Sequence, residues 1–477
     1  MIFKTKLSQI QMLPLGALKN ELVKNEKRLS ALFFHPVDRH LYVVCSDDEK
    51  GELDIFKTPI DTHHYQSLTS SYPAAHMFER EILETHQIVP ENHPWPKPVR
   101  YIKDLIGDTN FFRIEGSESH EVAVGPVHAG VIEPGHFRFQ CHGETVHHLE
   151  ISLGYQHRGI EKKLISGPSL RTIYYMETLA GDTSIGHTWA YCKNIESLSN
   201  TVVGERENLL RAIMLELERM ANHTGDLGAL AGDVGFLPTL SYCGRIRGDY
   251  LNMSAFICGS RFGRGMMKPR GVSFDLSLDQ IKELELKLDN IFRDTKGAIN
   301  VLWHSNMVLN RFEGTGVITP KESRDLGFVG MVARATGLNQ DVRKNFDHGE
   351  LYKDLPIAVC DSGDVFARAQ LRWLEMKNSY AFIKSALAKL KNASPLRTIK
   401  PGPLENDSLA VSLVEGWRGE ICHVAITNET GVFANYKVID PSFHNWTALA
   451  LSLRNQEISD FPLCNKSFNL SYCGHDL

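Results

Sequence analysis

A rigid, proline-rich segment divides the sequence into two unequal parts. Four prolines fall between residues 90 and 98, namely Pro90, Pro94, Pro96 and Pro98. Each proline fixes its own φ angle and lacks a backbone N–H, so such a run excludes helix and favours an extended connector. We therefore predict a domain boundary close to this segment, with one domain over residues 1–105 and a second over residues 106–477.

Short strand-like segments precede the connector, and a hairpin pattern follows it. Leu41–Val44 and Leu53–Phe56 are rich in β-branched and aromatic residues. After the connector, the sequence alternates over His136–Cys141, turns at 142–144 and returns over Thr145–Leu153. Alternation on both sides of a glycine-containing turn predicts a β-hairpin.

Helical periodicity dominates the remainder of the chain. Apolar residues recur at helical spacing within 209–220, 278–292 and 364–390. Three short strands with glycine-containing turns are predicted near the end, at Ser408–Val414, Ile421–Thr427 and Val432–Val438. The pattern indicates an α+β fold. A small α/β N-terminal domain precedes a mainly helical domain that begins with a β-hairpin region and ends with a short sheet.

Composition excludes several classes of function. The 477 residues are 42% hydrophobic, enough for a sizeable core. The net charge of −5 provides no basic footprint, so we expect no nucleic-acid partner. We expect no membrane-spanning segment, since no run of about 18 apolar residues occurs, and no secretory signal at the N-terminus. Nine cysteines without a CxxC pair indicate a reducing compartment rather than a disulfide framework.

Common catalytic motifs are missing from the sequence. There is no GxGxxG, no GxxxxGK[ST] and no GxSxG, so dinucleotide, P-loop and hydrolase sites have no local support. The densest polar stretch contains His142, Glu144 and His147. A zinc site of the HExxH type needs two histidines at i and i+4 on one helix face, whereas these are at i and i+5 around a turn. We therefore favour polar residues at a hairpin tip over a metal site.

Six segments, in order along the chain, carry a family resemblance. They are Gly125–Arg138, Leu153–Lys162, Glu216–His223, Arg334–Lys344, Gly363–Arg368 and Ile439–Phe443. Together they resemble the large subunit of membrane-bound, energy-converting [NiFe]-hydrogenases and the related quinone-site large subunit of respiratory complex I. Tyr72–Glu81 resembles the small accessory subunit of complex I. Fusion of the two is typical of formate-hydrogenlyase-type hydrogenases.

The sequence departs from the hydrogenases at the metal ligands. The resemblance implies four thiolates from two CxxC motifs, because soft sulfur donors hold the nickel and iron. Here the corresponding places hold Ala180, Thr183, Ser442 and Asn445. We therefore predict no metal bound by this chain and no hydrogenase activity. The tail after the second motif, from Phe461 onward, is expected to remain untrimmed, with Cys464 and Cys473 as core cysteines.

The resemblance to complex I implies a quinone-type acceptor and assigns three site residues, and the resemblance to the hydrogenases assigns a fourth. Tyr155 matches the tyrosine of the GYxH stretch. His136 matches the hairpin histidine, with His128 as the other candidate, and Asp233 matches an aspartate behind that histidine. Tyr and His can donate protons to a quinone carbonyl, and an Asp would hold the imidazole in its donating tautomer. Glu133 occupies the place of a proton-relaying glutamate of energy-converting hydrogenases.

Each of these residues can also be interpreted as having a purely structural role. Tyr155 fits a packed turn with a satisfied hydroxyl, and Asp233 fits a helix end or a turn. The charged stretch that contains Arg334, Asp341 and Arg343 is interpreted as a structural ion-pair network. Three further residues fall beside the vacated metal place, either as functional groups or as side chains that fill the old cavity: His187, Arg158 and Glu161.

The resemblance implies a peripheral-arm subunit of a membrane-bound, complex I-like oxidoreductase complex without its own [NiFe] site. The expected partners are an iron–sulfur small subunit, which would carry the cluster, and membrane subunits. NAD binding, electron transfer and ion translocation are associated with the family. The implied location is the cytoplasmic side of a bacterial or archaeal inner membrane. The alternative is a non-redox structural or assembly scaffold, which predicts a filled rather than an open, polar cavity around Tyr155, Asp233 and 180–187.

Overall fold

The computed structural model describes residues 2–24, 27–102, 110–128, 132–346, 351–396 and 402–477. Residues 103–109, where the predicted domain boundary falls, lie outside the described residues. The described strands are β1 (Ile2–Lys6), β2 (Gln11–Met12), β3 (Arg28–His35), β4 (His40–Asp47), β5 (Glu52–Pro59), β6 (His64–Gln66), β7 (Val89–Glu91), β8 (Ser119–Val124), β9 (His136–His142), β10 (Thr145–Ser152), β11 (Met267–Lys268), β12 (Gly271–Val272), β13 (Ser408–Glu415), β14 (Glu420–Thr427) and β15 (Phe433–Ile439).

The helices lie mostly in the second part of the chain. They are α1 (Leu15–Lys24), α2 (His76–His86), α3 (Ile160–Leu164), α4 (Thr172–Met176), α5 (Ser184–Leu198), α6 (Glu205–Asp233), α7 (Leu237–Cys258), α8 (Leu278–Trp303), α9 (Asn306–Phe312), α10 (Pro320–Asp325), α11 (Gly330–Arg334), α12 (Val342–Asn345), α13 (Val365–Leu390), α14 (Pro441–Ser452), α15 (Phe461–Phe468) and α16 (Tyr472–Asp476). None of the described helices combines the length and the apolarity needed to cross a bilayer.

The N-terminal part is a four-stranded sheet with a helix on it. The strand order is β2-β5-β4-β3, in which β3, β4 and β5 form an antiparallel meander. Helix α2 packs against β3. Its buried first-turn residue Glu79 accepts hydrogen bonds from the backbone N–H groups of Leu68 and Thr69 at 2.8 and 3.1 Å. This carboxylate fixes the loop that leads into the helix.

The two parts of the chain share one core rather than meeting at a loose hinge. Strand β1 pairs antiparallel with β13, so the second sheet has the order β1-β13-β14-β15. Arg28 on β3 donates to both carboxylate oxygens of Glu420 on β14, at 2.8 and 2.7 Å. Apolar residues of both sheets form a common cluster. The boundary near residue 105 remains a prediction.

The elements predicted from periodicity are confirmed. The hairpin is β9–β10, joined at Gly143 and Glu144, with β8 as a third strand on the β9 side. The three periodic stretches lie in α6, α8 and α13, and the three C-terminal strands are β13, β14 and β15. Helix α6 is packed between α7 and α13 and is buried on almost every face. The proline segment 92–98 contains no helix, as its composition requires.

Charged side chains form a buried network inside the helical core. Arg334 on α11 donates to Glu375 on α13 at 2.6 Å and to Glu415 on β13 at 2.7 Å. On α6, Glu216 accepts from Arg219 at 3.0 Å and from Arg343 at 3.1 Å. Every member is at most 3% exposed. Arg334, Asp341 and Arg343 therefore form the ion-pair network that the sequence suggested.

Replacing Arg334 by Met should strongly destabilise the fold, because it leaves Glu375 and Glu415 buried with one cation fewer. Breaking a buried pair from one side costs about 3–5 kcal/mol. Urea unfolding of the full chain would measure the change in the free energy of unfolding.

The matched control is Arg311→Met, which removes an exposed arginine paired with Asp460. Its effect should stay below about 1 kcal/mol. Equal effects of the two substitutions would contradict the central role of the buried network.

Candidate functional site

Three segments converge where the hydrogenase resemblance places the metal. Helix α5 begins at Ser184, helix α14 begins at Pro441, and the turn between β13 and β14 carries Arg418. The Arg418 guanidinium donates two hydrogen bonds to the Asp182 carboxylate, at 2.7 and 2.9 Å. The charge of Asp440, directly before α14, also acts on Arg418 and helps raise its pKa. We call Asp182, Thr183, Arg418, Asp440 and Ser442 the converged site.

The four places that the resemblance assigns to metal ligands hold side chains that contact the protein itself. Thr183 Oγ1 accepts from Trp417 Nε1 at 3.1 Å and from Arg418 at 3.2 Å. Ser442 Oγ accepts from the backbone N–H of Ser471 at 2.8 Å. The Asn445 side-chain amide pairs with the backbone N–H and C=O of Val329 at 3.0 and 3.1 Å. Ala180 is fully buried.

These residues do not fit a [NiFe] group. The places for thiolates carry a methyl group, two hydroxyls and a carboxamide, none of which is a soft donor. The hydroxyl and amide oxygens already accept hydrogen bonds from the protein. In the described part of the chain, no group of three or more His, Cys, Asp or Glu side chains is arranged to hold a metal ion.

The turn that carries Arg418 depends on a close contact between two glycines. Gly330, at φ +62°, approaches Gly419 so closely that an added Cβ would lie 2.0 Å from the Gly419 Cα atom. No side chain fits there, and a positive φ is itself unfavourable for other residues. Arg219 of the buried network donates to the carbonyls of Glu415 and Gly416 at 2.7 and 2.9 Å. The buried network therefore fixes the position of the turn between β13 and β14.

A chain of hydrogen bonds connects Asp440 to Tyr436 through two histidines. His187 Nε2 lies 2.9 Å from Asp440 Oδ2, His187 Nδ1 lies 3.1 Å from His423 Nε2, and His423 Nδ1 lies 3.0 Å from the hydroxyl of Tyr436. All four are at most 1% exposed. His187 and Arg418 keep the pKa of Asp440 low despite burial, so the carboxylate accepts from His187 Nε2. Hydrogen bonds between the ring nitrogens connect this pair through His423 to the Tyr436 hydroxyl.

Glu218 is a second buried acid beside the start of α5. Its carboxylate accepts from the backbone N–H groups of Ile185 and Gly186, at 2.8 and 3.2 Å. Burial raises the pKa of Glu218 to about 8. The two hydrogen bonds favour the charged form and offset only part of this rise. Near neutral pH this side chain is therefore largely protonated, next to the permanently charged Arg418–Asp182 pair.

His136 lies at the open end of the hairpin, and Tyr155 follows that end of β10 along the chain. His136 starts β9 and pairs with Ser152, the last residue of β10, three residues before Tyr155. The Nδ1 atom of His136 lies 3.4 Å from the Gly125 carbonyl oxygen, and its buried Nε2 atom has no partner. Tyr155 is half-buried, which raises its pKa. The other candidate, His128, has its Nε2 atom 3.0 Å from the Gly135 carbonyl oxygen.

Asp233 and Glu133 are the two remaining site residues that the resemblance assigns. Asp233 is the last residue of α6 and is exposed. Among the described residues, no hydrogen bond or ion pair joins it to His136, and burial raises its pKa to about 6. Glu133 is half-buried near the tail, where burial and the Glu133 charge raise the pKa of Cys473 to about 11. Cys464 is buried and Cys473 half-buried, and both are free thiols.

Arg158 and Glu161 bind structural partners beside the converged site. Arg158 donates to the carbonyl oxygens of Thr178, Leu179 and Cys473 at 2.7 to 3.2 Å. Glu161 accepts from the backbone N–H of Val438 at 3.0 Å and pairs with Lys437. These contacts connect the C-terminal tail to the segment before Ala180. At the hairpin tip, His142 pairs with Glu118 at 2.9 Å.

Sequence reasoning missed Trp417, Arg418, His423 and Glu218. Arg418 and His423 lie in the β13–β14 region, more than 200 residues after the segment that they contact, as in the Arg418–Asp182 pair. The one available signal was Glu218 within the matched segment Glu216–His223. A charged residue inside an otherwise buried helix indicates a paired or functional group.

Comparison with known proteins matches the two parts of the chain to two different subunit families. Residues 233–407 match the family model "Respiratory-chain NADH dehydrogenase, 49 Kd subunit", and residues 34–108 match the corresponding "30 Kd subunit" model. The carbon monoxide-induced hydrogenase of Rhodospirillum rubrum is 30% identical over 74% of this chain and 97% of its own length. Subunit 4 of the Thermus thermophilus NADH-quinone oxidoreductase is 30% identical over 71% and 89%.

A third relative covers both parts of the chain. Formate hydrogenlyase subunit 5 of Escherichia coli is 27% identical over 86% of this chain and 76% of its own length. The chain therefore belongs to the family of large subunits shared by complex I-type NADH dehydrogenases and energy-converting hydrogenases, with an accessory-subunit region fused at its N-terminal side.

Glu218→Gln should change how stability depends on pH. The native pKa of about 8 lies above the ordinary 4.5, so between these values the native state holds a proton that the unfolded state has lost. Stability of the unsubstituted chain should therefore fall as pH rises through this window, by up to about 1.4 kcal/mol per pH unit from this group. The Gln variant should lack this slope in urea unfolding from pH 5 to 8.

The control is Glu283→Gln, which removes an exposed glutamate paired with Lys287 on α8. Its pH profile should follow that of the unsubstituted chain. If Glu218→Gln and Glu283→Gln gave the same profile, Glu218 would be ionised in the native state and the interpretation would be wrong.

Proposed function

We propose that this chain is the large peripheral subunit of a membrane-bound, complex I-like complex that no longer carries a [NiFe] site. The observation that supports the proposal is the replacement of all four ligand places by Ala180, Thr183, Ser442 and Asn445, whose polar groups hydrogen-bond within the chain. Its partners would be an iron–sulfur small subunit and membrane subunits, on the cytoplasmic side of the membrane. The cluster would belong to the small subunit.

Metal analysis of the intact complex, purified from its own host, tests the loss of the metal site. The expected result is iron without nickel and no hydrogen uptake, because no thiolates stand at the ligand places. A formate hydrogenlyase prepared in the same way serves as the nickel-containing control. Stoichiometric nickel in the complex, with hydrogen uptake, would contradict the proposal.

An acceptor would bind at the open end of the hairpin rather than at the converged site. At the converged site, Arg418 already donates hydrogen bonds to Asp182 and Thr183. At the hairpin, the Nε2 atom of His136 is buried without a partner, and Tyr155 stands three residues past its strand partner. Imidazole and phenol groups are suitable proton donors for a quinone carbonyl that receives electrons. Reduction of such an acceptor would be coupled to ion movement in the membrane subunits.

Quinone reduction by the intact complex tests these two residues. Tyr155→Phe and His136→Gln should each lower the rate at least about tenfold, since a positioned proton donor contributes a factor of about 100 or more. Tyr174→Phe is the matched control, because Tyr174 is 63% exposed on α4. Unchanged rates in both site variants, with full activity of the unsubstituted complex, would exclude the hairpin end as the acceptor site.

The hydrogen bonds within the converged site also favour a second candidate function. In this alternative the chain is a non-redox scaffold, whose fold serves the assembly of the complex. Thr183, Ser442 and Asn445 complete their hydrogen bonds inside the chain, as expected for a site that has become part of the core. A complex that assembles normally, contains iron and reduces no quinone would support the scaffold. Quinone reduction that depends on Tyr155 would support the redox subunit instead.

A further inference from the structure

Helix α16 contacts the two segments from which the hairpin-end residues His136 and Tyr155 extend. The ring of its first residue, Tyr472, packs on the backbone of Gly135, where an added Cβ would lie 2.6 Å from the Tyr472 Cε1 atom. Gly135 directly precedes His136, the first residue of β9. The last residue of α16, Asp476, contacts the loop that carries Tyr155. One short helix therefore touches the chain before β9 and after β10.

The Asp476 carboxylate binds the two backbone N–H groups on either side of Tyr155. Gly154 N–H donates to Oδ1 and Gln156 N–H donates to Oδ2, both at 2.9 Å. The ring of His157 donates from Nδ1 to the backbone carbonyl oxygen of Asp476 at 2.8 Å. Asp476 is fully buried, which strengthens these hydrogen bonds relative to an exposed site. A single residue thus fixes the loop 154–157.

Asp476 is held in its charged form, in which both oxygens can accept. Burial disfavours the carboxylate, but the contact with His475 Nδ1 at 2.9 Å outweighs it, and the pKa of Asp476 lies below its ordinary value. The Gln156 N–H and the charge of Arg100 act in the same direction. Hydrogen bonds to an ionised acceptor are stronger than those to a neutral one. An amide in this place could accept at only one of its two positions.

The end of the proline connector supports the same loop. Gly154, at φ +103°, lies so close to Arg100 that an added Cβ would be 2.4 Å from the Arg100 carbonyl oxygen. No side chain fits there, and the positive φ itself favours glycine. Arg100 Nε also donates to the carbonyl oxygen of His475 at 2.8 Å. The connector, α16 and the loop therefore fix one another.

The Tyr155 phenol lies within electrostatic range of the Asp476 carboxylate. Burial raises the pKa of Tyr155, and the charge of Asp476 adds to this rise. The side chain is only half-buried, so its backbone must supply part of its orientation. Orientation matters for a proton donor, because a displacement of about 1 Å can lower a rate about 100-fold.

We propose that Asp476 is a positioning residue for Tyr155. It holds the peptide groups on both sides of Tyr155 and thereby sets the place of the phenol. The inference rests on the proposed function only in so far as the phenol serves an acceptor. The effect of Asp476 on the position of Tyr155 can be measured without any acceptor.

Nuclear magnetic resonance of the full chain, with isotopically labelled tyrosine rings, tests the positioning. The Tyr155 signal is the one that disappears in Tyr155→Phe. Asp476→Asn should shift this signal and lower the pKa of the phenol, because a nearby negative charge and one accepting oxygen are lost. The matched control is Asp364→Asn, since buried Asp364 likewise accepts from two backbone N–H groups, those of Gly314 and Ala367, at 2.8 Å. An unchanged Tyr155 signal in Asp476→Asn, or an equal shift in the control, would overturn the proposal.

His157→Phe keeps the proposal testable if Asp476→Asn fails to fold. His157 is half-buried, and the substitution keeps a ring but removes the donor to the Asp476 carbonyl oxygen. The Tyr155 signal should shift, by less than in Asp476→Asn. An unchanged signal in a folded His157→Phe chain would contradict the positioning role.

Quinone reduction by the intact complex tests whether the positioning serves catalysis. Asp476→Asn should lower the rate about tenfold but cause no further loss in a chain that already carries Tyr155→Phe, because its effect passes through the phenol. Asp364→Asn should keep the full rate. Additive losses in the double variant would overturn the positioning role. If Tyr155→Phe itself kept the full rate, the proposed function would fail, and the Tyr155 signal alone would decide whether Asp476 positions the phenol.

Discussion

The buried network around Arg334 and Glu375 is the interaction on which the rest of the structure depends. It joins α6, α11, α13 and β13 through charge-assisted hydrogen bonds at 2.6 to 3.4 Å. Burying several charges is costly unless each is paired, so the helices and the sheet must keep their relative positions. From the same network, Arg219 holds the carbonyls of Glu415 and Gly416, and with them the turn that presents Arg418.

The converged site shows how residues far apart in the sequence form one charged cluster. Two helix starts and one turn meet at one place, which the Arg418–Asp182 pair and the Thr183 hydroxyl occupy. Acids and imidazoles surround it: Glu218 stands beside α5, and the Asp440–His187–His423–Tyr436 chain runs into the C-terminal sheet. The site therefore contains groups that can hold and orient protons.

One buried polar atom at the hairpin end has no hydrogen-bond partner within the described residues. It is His136 Nε2, whereas Nδ1 of the same ring lies 3.4 Å from the Gly125 carbonyl oxygen. Thr183, Ser442 and Asn445, by contrast, complete their hydrogen bonds inside the chain. This difference is the reason for placing the proposed acceptor at the hairpin end.

The sequence by itself determined the order and type of the main elements and the family. Periodicity of 3.6 residues identified α6, α8 and α13, alternation identified the β9–β10 hairpin, and the prolines of 90–98 excluded helix in the connector. The sequence also shows Ala180, Thr183, Ser442 and Asn445, rather than cysteines, at the four places that the resemblance assigns to thiolates. Such features are local, so they can be read without knowing which segments meet.

Only the tertiary structure decided which distant side chains form the sites. Arg418 contacts Asp182, and His187 contacts Asp440, through hydrogen bonds that no local pattern encodes. Whether a charge is paired or a polar atom is left alone depends on how sheets and helices pack, and that packing is a property of the whole chain.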